Sequence, residues 1–137
     1  MTAYNLAVIA SGAFFLNALL TGVWKYRQMA TSETGQAHIY VDTTHRASLM
    51  YAFACMLIAM FVNISQLSAS LELLAVIMLV AYFTIAVITY MLHGIKQDTE
   101  NQVHNAPGSV HVFMWTLIAA EIGGFLILFY GALAALL

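Results

Sequence analysis

A chain of 137 residues that is 63% hydrophobic and only 7% charged, with a mean hydropathy of +0.88, reads as an integral membrane protein and not as a water-soluble domain. Its formal net charge of −2 carries none of the basic excess that tracks nucleic acid, which sets a DNA or RNA partner aside. The single cysteine, Cys55, lies inside an apolar run, so no intrachain disulfide can form.

Four apolar segments are predicted to cross the bilayer as helices. The first, about residues 4–24, contains no charge and runs into Trp24, Lys25, Tyr26 and Arg27, the aromatic and basic residues expected at a membrane interface. No positive flank precedes it, so it is expected to be a retained span and not a cleaved signal. A polar stretch over 28–44 follows, with a loop at Thr31–Gly35 and with Asp42, Thr43 and Thr44 as candidate caps for span two at about 46–62. The short connection Asn63–Ser70 makes spans two and three, about 71–92, antiparallel neighbours. A second polar segment from His93 to Ser109 contains Pro107-Gly108, a signal that ends one element and opens the next, and span four takes about 110–137.

The fold class is therefore all-α, a bundle of four transmembrane helices in a single membrane domain. All four basic residues, Lys25, Arg27, Arg46 and Lys96, fall on the side of the two longer polar segments. The positive-inside rule makes those segments cytoplasmic and puts both termini outside, in what is expected to be a bacterial inner membrane.

The two halves share a pattern: a span, a basic polar segment, then two histidines seven residues apart where the next span begins. His38 and His45 open span two, and His104 and His111 open span four, which suggests a parallel repeat of two helical hairpins. Seven residues is two helical turns, about 10 Å along the axis, so the two histidines of one pair cannot chelate one ion. Residues His45 and His111, at equal depth on different helices, are the candidate metal or cofactor ligands, and haem b, copper, zinc or a quinone is the class of group they would contact. The competing reading is that these imidazoles only sit among headgroups. Arg46, beside His45, either pairs with the negative charge of a ligand or lipid or simply anchors its helix.

Glu121 lies about 15 Å beyond His111 along a helix, near the middle of a hydrocarbon layer about 30 Å thick. An ionisable group there faces protein or a cavity and marks a functional position by default. The protonated acid, donating a hydrogen bond, is its expected form, with Asn17, Tyr51, Cys55, Tyr82 and Thr84 as partners at suitable depth. It either handles a proton or ligand or locks helices together, and Gly123-Gly124 would admit a neighbouring helix beside it. The aromatics Phe14, Phe15, Tyr51, Phe53, Phe61, Phe113 and Trp115 read as packing and belt residues.

Two family resemblances follow. Leu16-Asn17-Ala18-Leu19-Leu20, then His45-Arg46-Ala47-Ser48-Leu49-Met50-Tyr51-Ala52-Phe53, and later His111 to Thr116 with Gly124 and Tyr130, resemble a family of small membrane proteins associated with haem-copper oxidase assembly. That resemblance covers spans one, two and four and implies an accessory, assembly or structural subunit of a membrane redox complex, with other membrane subunits or a second copy as partner. The size and the four spans also look like the MAPEG superfamily of trimeric, glutathione-dependent membrane transferases. Here Met50 and Phe53 stand where that family's second helix carries asparagine and glutamate. A purely structural subunit without cofactor is the third class.

Overall fold

A computed structural model describes all residues, 1–137, and contains four helices and no strand. They are α1 (Ala3–Thr31), α2 (Ile39–Ile64), α3 (Ala69–Lys96) and α4 (Gly108–Leu136). Each is long and apolar enough to cross a membrane. Helices of 26 to 29 residues at about 1.5 Å per residue reach past a hydrocarbon core of about 30 Å, so their ends stand in the headgroup region. The protein is a small integral membrane protein whose flanks contact the lipid bilayer.

The first three helices outrun the predicted spans at both ends, α4 does so only at its start, and the extra turns correct one expectation. Asp42, Thr43 and Thr44 do not cap α2; they lie inside it, after its start at Ile39. The cap is His38, whose Nδ1 accepts the Tyr40 N–H at 3.3 Å. Thr44 instead turns its hydroxyl onto the Tyr40 carbonyl and is fully buried. At the other end of the molecule Thr2 caps α1 by accepting the Asn5 N–H. Gln97 closes α3 in the left-handed region, with φ of 50°, and Pro107 stands immediately before α4, where its missing N–H costs nothing.

In cross-section α2 and α3 form the short diagonal of a rhombus. Both touch α1 and α4, whereas α1 and α4 do not touch each other. The α1–α2 contact is built from small residues. Ala3, Ala7, Ala10, Ser11, Phe14, Ala18 and Thr21 recur every three or four positions and are all buried. Their small side chains let the backbones approach, which is how helices associate when lipid tails remove the hydrophobic driving force between them. Polar groups then tie the pair: the Ser11 hydroxyl donates to the Ala52 carbonyl at 2.8 Å and Asn17 donates to Ser48 Oγ at 2.8 Å.

Helix α4 is joined differently. Its buried residues are Gly124, Leu128, Gly131 and Ala132, all in its second half. There Phe61 of α2 meets Phe125 and Phe129 at 5.7 and 5.8 Å, and Gly131 lies so close to Ser65 and Leu67 that a β-carbon would collide with both. Gly124 rests on α3, where a β-carbon would come within 3.1 Å of Leu79 and 3.2 Å of the Ala75 carbonyl. Gly123 faces open space. The first half of α4, from Gly108 to Gly123, has no buried residue, and cavities open beside it.

Candidate functional site

The sequence-predicted residues are held by different neighbours. His45 is turned to α1: its Nδ1–H donates to the Ala18 carbonyl at 2.8 Å, and its ring lies against Gly22, where a β-carbon would come within 3.0 Å. The carbonyl can only accept, which fixes the proton on Nδ1 and leaves Nε2 of the neutral ring as a hydrogen-bond acceptor or ligand atom. His111 is exposed on α4, the helix that α1 does not reach. His45 comes six residues after the first helical residue of α2, and His111 three after that of α4, so the shared spacing of the histidines does not carry over into equal helical register. His38 caps α2, whereas His104 sits in the turn before α4 and donates its backbone N–H to Asn101. No group of three or more His, Cys, Asp or Glu side chains is placed to hold a metal ion.

Arg46 projects outward, its side chain 72% exposed and 3.5 Å from Asp42. Asp42 is engaged more closely by Lys25 of α1, at 2.5 Å. Arg46 therefore keeps most of its donors free. It lines a shallow groove with Thr43, Ala47, Met50, Tyr51 and Tyr90.

Glu121 meets none of its five expected partners by hydrogen bond. Asn17 is taken by Ser48, the Thr84 hydroxyl donates to the Val80 carbonyl of its own helix, Tyr82 lies against Phe113, Tyr51 stacks on Phe83, and Cys55 is fully buried. One carboxyl oxygen, Oε1, is buried without a hydrogen-bond partner. Depth alone selected those partners; the orientation of five separate side chains around their helices decided otherwise.

A site that the histidine spacing did not reveal lies between α3 and α4 at the long-loop end. A cavity of about 270 Å³ is lined by Tyr51, Tyr90, His93, Gln102, Phe113 and Leu117 among others. His93 belongs to the last turn of α3, and its Nδ1 is 2.7 Å from the Asp98 carboxylate. Donation from Nδ1 to Asp98 leaves Nε2 for a ligand and sets the ring's orientation. The hydrogen bond from His93 holds the Asp98 carboxyl below the usual aspartate range. Tyr40 stands behind this pair, 5.1 Å from His93 and 6.0 Å from Tyr90 by ring centres. The Tyr40 hydroxyl accepts the Gln102 N–H at 2.7 Å, which pins the connecting loop over the cavity. Gln102 Oε1 is buried and has no partner.

Tyr51 is the floor of this cavity. Its ring lies flat on Phe83, with centroids 4.1 Å apart and planes 13° apart, and Phe83 lines a second, lower groove with Glu121. The signal for the upper site was present in Tyr90 and His93, three residues apart on one helix face, followed by Asp98. Ending the predicted span at Leu92 hid it, because His93 then fell into the loop.

Comparison with known proteins finds no matching family model, no matching curated protein and no matching solved structure.

Proposed function

We propose that the protein is an accessory subunit of a membrane redox complex and that the α3–α4 cavity takes up a quinone headgroup, in its reduced quinol form, near the cytoplasmic face. The observation that carries this reading is Gln102 Oε1, a buried acceptor without a partner, on the wall of a cavity that also offers His93 and the rings of Tyr51, Tyr90 and Phe113. A buried polar atom left unpaired costs about 1–3 kcal/mol, and a hydroxyl of the reduced, quinol headgroup donating to Gln102 Oε1 would recover it, which the carbonyls of the oxidised quinone, being acceptors only, would not. A flat, mostly apolar ring with polar groups at its edge suits such a lining: aromatic faces to stack on and a few placed hydrogen-bonding atoms to fix orientation. His93, its Nδ1–H donated to Asp98, would accept the second hydroxyl of the quinol at Nε2. In this reading the long loops are cytoplasmic by the positive-inside rule, and Arg46 stands at the rim on the other side of Tyr51 and Tyr90.

Photoaffinity labelling tests it directly. A short-chain azidobenzoquinone, kept in its reduced quinol form and applied to the full chain in lipid nanodiscs, is expected to label residues 86–117 saturably. His93→Ala and Gln102→Leu should each weaken that labelling at least about tenfold, equivalent to about 1.4 kcal/mol. Labelling that does not saturate, or that ignores both substitutions, overturns the quinone reading. A Soret band or stoichiometric metal that disappears in His45→Ala and His111→Ala would move the contact to those histidines, and glutathione-dependent conjugation would replace it with a transferase.

A further inference from the structure

The lower groove has a different chemistry from the cavity above it. It measures about 330 Å³ and is lined by Ala54, Leu57 and Ile58 of α2, Leu79 and Phe83 of α3, and Ile122, Phe125 and Leu126 of α4, with Glu121 as its one polar side chain. All four basic residues of the chain stand at the long-loop end, and none lines this groove. Glu121 Oε1 is buried and unpartnered. Glu121 thus lines the groove with a carboxyl whose Oε1 is buried beneath the groove surface and accepts no hydrogen bond from the protein.

Two rings line the groove together with Glu121 and are each stacked on a further ring. Phe83 is stacked on Tyr51, and Phe125 is stacked on Phe129 with planes 11° apart. The outer rim is formed by Leu57, Ile122 and Leu126, which are 45%, 57% and 55% exposed. Those side chains face the bilayer, so a ligand would arrive laterally from lipid. What the groove asks of an occupant is an apolar body, one hydrogen-bond donor to reach Glu121, and compatibility with aromatic faces. A protonated amine meets all three, because it donates to the carboxyl and is attracted to the ring faces. A neutral alcohol meets only the first two.

We infer that the groove between α2, α3 and α4 around Glu121 is a binding site for a lipophilic amine, an apolar chain or ring system carrying one basic nitrogen. Its N–H donates to the Glu121 carboxyl while the Phe83 and Phe125 rings that line the same groove contact the ammonium. This site is separate from the quinone cavity and does not depend on it.

The test uses the full chain in nanodiscs and a dodecylamine carrying a terminal diazirine, with crosslinks mapped by mass spectrometry. Saturable labelling is expected on 54–58 and 122–126, and unlabelled dodecylamine should compete at least about tenfold better than dodecanol. Glu121→Gln, which keeps the size of the side chain, should abolish the amine's advantage. Ala54→Phe fills the groove with the carboxyl in place and should remove labelling altogether. Equal competition by the amine and the alcohol, unsaturable labelling, or an undiminished preference in Glu121→Gln would overturn the inference.

Discussion

The α1–α2 pair and the first half of α4 are built from similar apolar sequence and reach opposite outcomes. On α1 the buried positions are alanine, serine and threonine, with Phe14 the one large residue, and each polar group on that face finds a partner across the interface or within its own helix. On α4 from Gly108 to Gly123 nothing is buried, and the polar groups beside it, Gln102 Oε1 and Glu121 Oε1, are both unpaired. In a bilayer, close packing needs small residues at helical spacing and satisfied hydrogen bonds. Where either is missing the helices part, and the space left between them is where ligands or partner subunits can be met.

The largest effect that would separate the two regions is steric. Ala18 is fully buried, and its carbonyl holds His45. Ala18→Leu forces three extra carbons into that contact and is expected to cost about 2 kcal/mol. Ala119→Leu adds the same atoms to an exposed position on α4 and should change stability by less than about 0.5 kcal/mol. Unfolding of both variants in bicelles measures the difference. Equal costs would mean that α4 is packed as tightly as α1, and the cavities beside it would lose their significance.

That contrast also explains what could be read before the structure. Four spans and their connectivity follow from runs of apolar residues between polar segments, because the bilayer's thickness imposes the length and lipid imposes the helix. The sites were harder, for a reason visible in His45 and His93. A histidine spacing states how far apart two rings lie along an axis; it does not state which neighbour each ring faces. His45 turned to α1, and His93, one residue past the predicted span, turned to Asp98 and the cavity. Glu121 was identifiable from depth alone, since its cost does not depend on orientation, but its neighbours were not. The unpaired state of Gln102 Oε1 depends on a loop fold held by the Tyr40 hydroxyl, a contact sixty-two residues apart in the chain that no local pattern encodes.

A smaller effect is expected from cutting that long-range tie. Tyr40→Phe removes the acceptor of the Gln102 N–H while keeping the ring that lies against Tyr90 and His93. A net hydrogen bond of about 1 kcal/mol would be lost, and since Tyr40 is 7% exposed no solvent molecule readily replaces it. Hydrogen exchange at the Gln102 amide should accelerate about fivefold, the factor that corresponds to that energy, while amides across the α1–α2 pair remain unchanged. Acceleration spreading into α1 would show that the loop and the tight hairpin open together, contrary to the division drawn above.

The smallest expected effect concerns the exposed end of the same loop. Asp98 is fixed by a hydrogen bond from His93 that holds its carboxyl below the ordinary aspartate value of 3.8. A carboxyl whose folded value is depressed favours the folded loop when it is ionised, so its contribution is complete above pH 3.8 and is lost as the pH falls through the lowered folded value. Raising the pH from neutral changes nothing through this group. Solvent screens the pair heavily at such an exposed position, so overall stability is the wrong measure and the Asp98 carboxyl carbon shift is the right one. In the native protein its midpoint should lie below 3.8, and in His93→Ala it should return toward that value. A midpoint that ignores His93→Ala would mean that the imidazole does not engage Asp98. Nδ1 would then be free, and the ring orientation that leaves Nε2 for a ligand in the α3–α4 cavity would have no anchor.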